Sequence, residues 1–113
     1  MPERFFPGEI LLAALTFTSQ TSSKRRPVIA IRDAGDDDLL VAPVSSQAAR
    51  VAYDVTLADW QKSGLRLPSV VRVEKLATIE KSTVQRRFGR ASSNDWAAVK
   101  ESLKKLCGEI LDG

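Results

Sequence analysis

The stretch "PVIAIRDAGDDDLLVAPV", residues 27–44, sets two apolar runs on either side of a polar turn. Val28, Ile29 and Ile31 are β-branched residues that suit an extended backbone. Pro27 has no N–H, so it fits the first residue of a strand or a sheet edge. "RDAGDDD" (32–38) reads as the turn, with Gly35 supplying a positive φ and the acidic residues solvating the tip. "LLVAPV" (39–44) returns as the next strand, stopped or bulged at Pro43 and followed by the polar "SSQ". A hairpin therefore stands at the centre of the chain.

Upstream, "GEILLAAL" (8–15) follows Pro7 as a short apolar run of the kind found in buried strands. "TFTSQTSS" (16–23) links it to the hairpin as a polar loop longer than a tight turn. Downstream, "RVAYDVTL" (50–57) alternates enough for a fourth strand. "LADWQKSG" (57–64) reads as a helical turn capped by Thr56 and ended by Gly64. "SVVRVEKLATIEK" (69–81) reads as two strand pieces with a break near Lys75. From Ser92 the pattern changes. "SSNDW" offers an N-cap with Asp95 three residues on, and Trp96, Val99, Leu103, Leu106, Cys107 and Ile110 recur at spacings of three and four. These form one apolar stripe on a helix of about 15 residues, with Cys107 as a small core residue on it. The expected fold is mainly β with α: four to six short strands in a small, strongly curved β-barrel or half-barrel, with a C-terminal amphipathic helix packed on it. No repeat or linker divides residues 1–113, so one domain is expected.

Composition narrows the chemistry. The 113 residues carry 17 Lys and Arg against 14 Asp and Glu, a net charge of +3, and the excess sits in blocks: Lys24, Arg25 and Arg26, then Arg86, Arg87 and Arg90. Such blocks suit a phosphate-binding face. The chain has no histidine and one cysteine, which removes the usual neutral-pH acid–base, the usual triad base and zinc motifs. Asp33, Asp36, Asp37 and Asp38 lack the spacing of a calcium loop and read as a solvated hairpin tip. No phosphate-cradling glycine loop is present, so neither a metal nor a nucleotide cofactor is expected. No leader-like or membrane-spanning segment is evident, and a cytoplasmic location is expected.

A basic domain without histidine can still act on RNA, because RNA carries its own nucleophile, the 2′-hydroxyl beside each phosphate. A protein need only orient that group and stabilise charge on the phosphorane. Arginine suits this, since its planar fork grips two phosphate oxygens and stays charged; for the same reason it is a poor general base. In order along the chain, "GEILLAAL", "RRPVIAI" (25–31), "VAPVSSQ" (41–47), "LPSVVRVEKLATIEK" (67–81) and "GRASSNDWAAVKESLKKL" (89–106) resemble the MazF/PemK toxins of bacterial toxin–antitoxin pairs.

The resemblance implies an SH3-like small β-barrel of five to seven short strands with a C-terminal helix, and a homodimeric, metal-independent endoribonuclease that cleaves single-stranded mRNA at short sequences, inhibits growth and is silenced by a cognate antitoxin. It places the catalytic arginine at Arg26, directly before the strand proline, and its hydroxyl partner at Ser45 in "PVSS" (43–46), where the family usually has threonine. Without the resemblance, Arg26 reads as a solvated residue flanking a strand and Ser45 as a turn-former. Lys24 and Arg25 become candidates for following the RNA backbone from the mobile loop, and Ser46 and Gln47 for touching bases. Arg86 and Arg87, with Phe88, either extend the groove or form a basic turn before the helix; Tyr53 and Trp60 read as packing. One departure stands out. Many members carry a loop glutamate before the arginine, whereas "TSQTSSK" (18–24) has no acid, with Thr21 near that position. That departure keeps two other readings open: a binding module like the gyrase-poisoning toxins that share this barrel, and an RNA-binding barrel that does not cut.

Overall fold

The central hairpin forms, and every other strand is added around it. The computed structural model describes residues 3–15 and 24–113. Its elements are β1 (Glu9–Leu15), β2 (Lys24–Arg32), β3 (Asp38–Ser45), β4 (Asp54–Thr56), β5 (Val70–Arg72), β6 (Ala77–Glu80), β7 (Val84–Arg90) and α1 (Ser93–Asp112), with single 3-10 turns at Val73–Lys75 and Lys81–Thr83. The pairings are antiparallel and run β4-β5-β3-β2-β1-β7, with β6 on β3 beside the main path. Seven strands and a C-terminal helix are thus the expected mainly β fold.

Strand alternation divides the apolar residues between two faces of this sheet. Leu11, Ala13, Val28, Ala30, Leu39 and Val41 point one way and pack with Phe5 and Ile79. Ile10, Ile29, Ala42 and Val44 point the other way and pack with Leu57, Val71, Val73 and Val99 of α1. Because β1 lies between β2 and β7 and is covered on both sides, its sequence is apolar almost throughout rather than alternating.

Several expectations are corrected. Strand β2 begins at Lys24, so Lys24 and Arg25 belong to the strand, paired with Leu15 and Ala14, rather than to a mobile loop. Pro43 does not stop β3. The strand exchanges its β6 neighbour, last met at Val41, for β5, first met at Val44, and Pro43 falls in the gap where that edge has no ladder to interrupt. The fourth strand shrinks to Asp54–Thr56, and 57–64 forms successive turns rather than a helix. Those turns are capped from α1 instead of by Thr56: the Asp95 carboxylate accepts the Ala58 and Asp59 amides at 2.9 and 2.8 Å. The break near Lys75 is the first 3-10 turn. The basic segment, read as either a groove extension or a turn before the helix, is strand β7, bulged twice against β1.

The helix starts as read, with the Ser92 hydroxyl accepting the Asp95 N–H at 3.1 Å, but runs for 20 residues. Val99 is buried and Trp96, Leu103 and Leu106 half-buried; beyond them the stripe leaves the core, with Ile110 and Leu111 67% and 82% exposed. Cys107 is exposed too, not a core residue.

Buried ion pairs hold the two ends of the barrel. At the hairpin end Lys81 meets Asp33 at 2.8 Å, with both side chains almost fully enclosed. Asp33 also accepts the Phe5 and Gly35 amides at 2.9 and 2.7 Å. Burial pushes its carboxyl upward, but the Lys81 and backbone hydrogen bonds outweigh burial and hold the pKa at about 2. Asp33 is therefore structural, and only Asp36, Asp37 and Asp38 form the exposed tip.

Candidate active site

The register of the hairpin fixes the relation between Arg26 and Ser45. Its last pairs are Ala30 with Val41, Ile29 with Ala42 and Val28 with Pro43; two residues further along each strand stand Arg26 and Ser45. A step of two keeps the face, so both project on the Val28 and Val41 side, at the rim where that cluster ends. Arg26 is half-buried and pairs with Ala13 of β1, which pairs onward with Val84 of β7. The Ser45 hydroxyl accepts the Gln47 N–H at 3.1 Å, leaving its proton for an outside acceptor. Lys24 projects from the same face one step further out, and Arg25 from the other.

The neighbouring Ser46 belongs to the opposite side. It lines a groove of about 370 Å³ together with Gly64, Leu65, Arg66, Leu67, Ser69, Arg86 and Phe88. Two glycines bring the 60–65 turns onto β7 to make it: a Cβ on Gly64, at φ +89°, would lie 2.4 Å from the Phe88 carbonyl oxygen, and one on Gly89 2.7 Å from that of Ser63. The Arg86 guanidinium lies over the Phe88 ring, 5.4 Å from its centroid. Gln47 is exposed and does not line the groove.

Arg87 is engaged elsewhere. Its guanidinium reaches Glu9 at 3.1 Å, Glu3 at 2.9 Å and the Arg4 carbonyl at 2.6 Å, and stacks over Phe5 at 4.3 Å. Alternation along β7 sends Arg86 to the groove and Arg87 to the N-terminal arm, and the two bulges flank this pair. Tyr53 and Trp60 pack against the α1 side of the core. The 16–23 loop, Thr21 included, lies outside the described residues. Among the described residues no group of three or more potential metal-ligating side chains gathers, and no helix is long and apolar enough to cross a membrane.

Several residues of this region escaped the sequence reading. Leu65 and Arg66 carry no motif; they lie between Gly64 and the "LPSVV" stretch that begins at Leu67. Asp54 and Arg72 had a clearer one, since a charge inside "VVRV" (70–73) or "YDVTL" (53–57) on buried strands calls for a partner.

A curved antiparallel sheet with a capping helix, an arginine and a hydroxyl on one rim, and a basic aromatic groove beyond it define a small toxin-like barrel. The chain belongs to the PemK-like, MazF-like toxin family of type II toxin–antitoxin systems, whose family model matches residues 6–107. Solved structures of similar fold include the Mycobacterium tuberculosis toxin MazF-mt6, 24% identical over 86% of this chain and 93% of that one, with a TM-score of 0.71. A mycobacterial endoribonuclease in complex with its cognate antitoxin is 11% identical over 93% and 96%, with a TM-score of 0.76. The MazE–MazF complex of Deinococcus radiodurans is 22% identical over 90% and 94%, with a TM-score of 0.71. A search of curated proteins finds no match.

Proposed function

We propose that this toxin is a sequence-selective, metal-independent endoribonuclease acting on single-stranded RNA in the cytoplasm, with residues 1–113 serving as one catalytic barrel domain. The reading rests on the placement of Arg26 and Ser45 on one face, two residues beyond the Val28–Pro43 pair. In the reaction the 2′-oxygen attacks phosphorus, the bond to the 5′-oxygen breaks, and a cyclic phosphate and a 5′-hydroxyl result. The 2′ proton leaves to solvent and the departing oxygen gains one. Arg26 stabilises the charge on the phosphorane, and the Ser45 hydroxyl donates to a phosphate oxygen. Lys24 and Arg25 draw in the backbone, while Ser46, Gln47 and the groove past Arg86 and Phe88 take flanking bases. Arg87 is left out of this role because its cation already serves Glu3 and Glu9.

Family membership supports a cognate antitoxin as partner, and the mycobacterial endoribonuclease of similar fold is itself seen in complex with its own. An acidic or amphipathic segment would suit the basic rim. A homodimer is part of the same reading.

The test is cleavage of single-stranded RNA by purified protein in EDTA, with fragment 5′ ends sequenced. Discrete cuts that vanish in Arg26→Ala support the proposal; cuts that persist in that variant overturn it. The absence of any acid in 18–24 keeps a non-cleaving role in view. Recovery of gyrase without RNA cleavage would favour a gyrase-directed toxin, and salt-sensitive RNA binding without cleavage a plain RNA-binding barrel.

A further inference from the structure

Resting on the RNA reading above, we propose that Asp54 and Arg72 are positioning residues: a buried ion pair that clamps the 46–51 segment, so that Ser46 and Gln47 meet RNA in a fixed arrangement. Asp54 and Arg72 face each other across the β4–β5 ladder, with side chains only 2% and 6% exposed. Arg72 Nη1 bonds Asp54 Oδ2, and Arg72 Nη2 donates to the Ala48 carbonyl at 3.2 Å. The same carboxylate accepts the Arg50 N–H at 2.9 Å and the Val51 N–H at 3.3 Å. Three backbone groups of an exposed segment thus converge on two enclosed charges, and the segment begins one residue after Ser45.

Stability of the ladder does not account for the pair. Apolar residues of similar volume replace a buried ion pair at little or no loss, and Val70, Val71 and Val73 around Arg72 already form a dry environment. What apolar replacements cannot do is hold a carbonyl and two amides of a neighbouring segment. Burial pushes the Asp54 carboxyl up, but the Arg50 and Val51 amides and Arg72 together draw it below the ordinary carboxylate value, so it is ionised at neutral pH.

Arg72→Lys separates the clamp from the charge, because one ammonium can meet Asp54 without also reaching Ala48. Asp54→Asn is the second variant, and Asp33→Asn, at the opposite end of the barrel, is the control for a lesion that affects stability alone. In Asp54→Asn the Arg50 and Val51 amides should exchange with solvent roughly tenfold faster at pH 7, whereas Arg72→Lys keeps their acceptor and releases only the Ala48 carbonyl. KM for a mapped RNA site should rise roughly fivefold to tenfold with kcat within about twofold, and fragment ends should spread over more sequences. Asp33→Asn should lower the melting temperature and leave KM and the cleavage pattern unchanged. Unaltered exchange at Arg50 and Val51 in folded Asp54→Asn, an unchanged KM in folded Arg72→Lys, or an equal KM rise in Asp33→Asn overturns the clamp. An unmodified chain that neither binds nor cuts RNA overturns the functional reading and the RNA half of this proposal; the exchange measurement still decides the clamp itself.

Discussion

Gly64 and Phe88 approach so closely that a side chain on the glycine has no room: its Cβ would lie 2.4 Å from the Phe88 carbonyl oxygen, and its φ of +89° already disfavours any other residue. Gly64→Ala should cost roughly 1–3 kcal/mol from backbone strain and the forced shift of the turns. A denaturant midpoint lowered without a change in slope would support this. A neutral substitution would show that the 60–65 turns do not need this contact.

Ser45 has one proton to give and a lone pair already used by the Gln47 amide. Ser45→Ala should leave the fold intact and lower kcat by about 10²-fold, the scale of losing one donor to a developing negative charge. Ser45→Thr restores the hydroxyl and should recover most of the rate. Equal losses in both variants would assign Ser45 to turn geometry instead.

Adjacent arginines of β7 should behave oppositely. Arg86→Gln should weaken RNA binding and reduce the slope of log affinity against log salt by about 0.7, the single-strand value per phosphate contact. Arg87→Gln should leave that slope alone and instead destabilise the protein, because Glu9, 6% exposed, loses its partner. Salt titrations and thermal melts of the pair separate the roles; a lower salt slope in Arg87→Gln would return that residue to the RNA face.

Acid should loosen the hairpin end. Asp33 is held at about 2 against an ordinary value of 3.8, so its contribution to stability is complete above about pH 4 and is lost as pH falls through 2. The shift corresponds to about 1–2 kcal/mol, the lower figure allowing for solvent screening. Unfolding free energy measured from pH 5 to pH 2 should fall more steeply in the native chain than in Asp33→Asn, and parallel curves would contradict the assignment.

Asp95→Ala removes the acceptor for two amides at once, Ala58 and Asp59, from a residue 3% exposed. A loss of roughly 1–3 kcal/mol is expected from two partly buried donors that lose their acceptor. Asp95→Asn should recover part of it, since its amide oxygen still accepts one bond.

The strands around the hairpin were legible because their apolar residues are consecutive or alternate, and the helix because Ser92 and its stripe follow the 3.6-residue period. Strand β7 was not legible. "VQRRFGR" (84–90) carries three arginines, and two bulges break its alternation, so no period of two survives in the letters. Cys107 and Ile110 were assigned to the core because periodicity continues past the point where the sheet beneath α1 ends, and a sequence does not mark that edge. For the proposed site, Arg26 and Ser45 were singled out through the resemblance, and their shared face follows from counting along two strands. The partners that hold the rim, Asp54 with Arg72 and Asp95 with the 58–59 amides, are separated by 18 residues and by 36 to 37. Only tertiary structure brings them together.

The end of β3 gives one hydroxyl to each side of a wall that is a single backbone thick: Ser45 to the face of Arg26, Ser46 to the groove of Arg86. Removing one residue between Leu39 and Ser45 would exchange the two sides. Insertions beyond Gln47 would leave both in place. Length variation in relatives of this toxin should therefore collect after the rim and be purged before it, so that the chain can explore new loops beyond the rim while the spacing from hairpin turn to rim stays frozen.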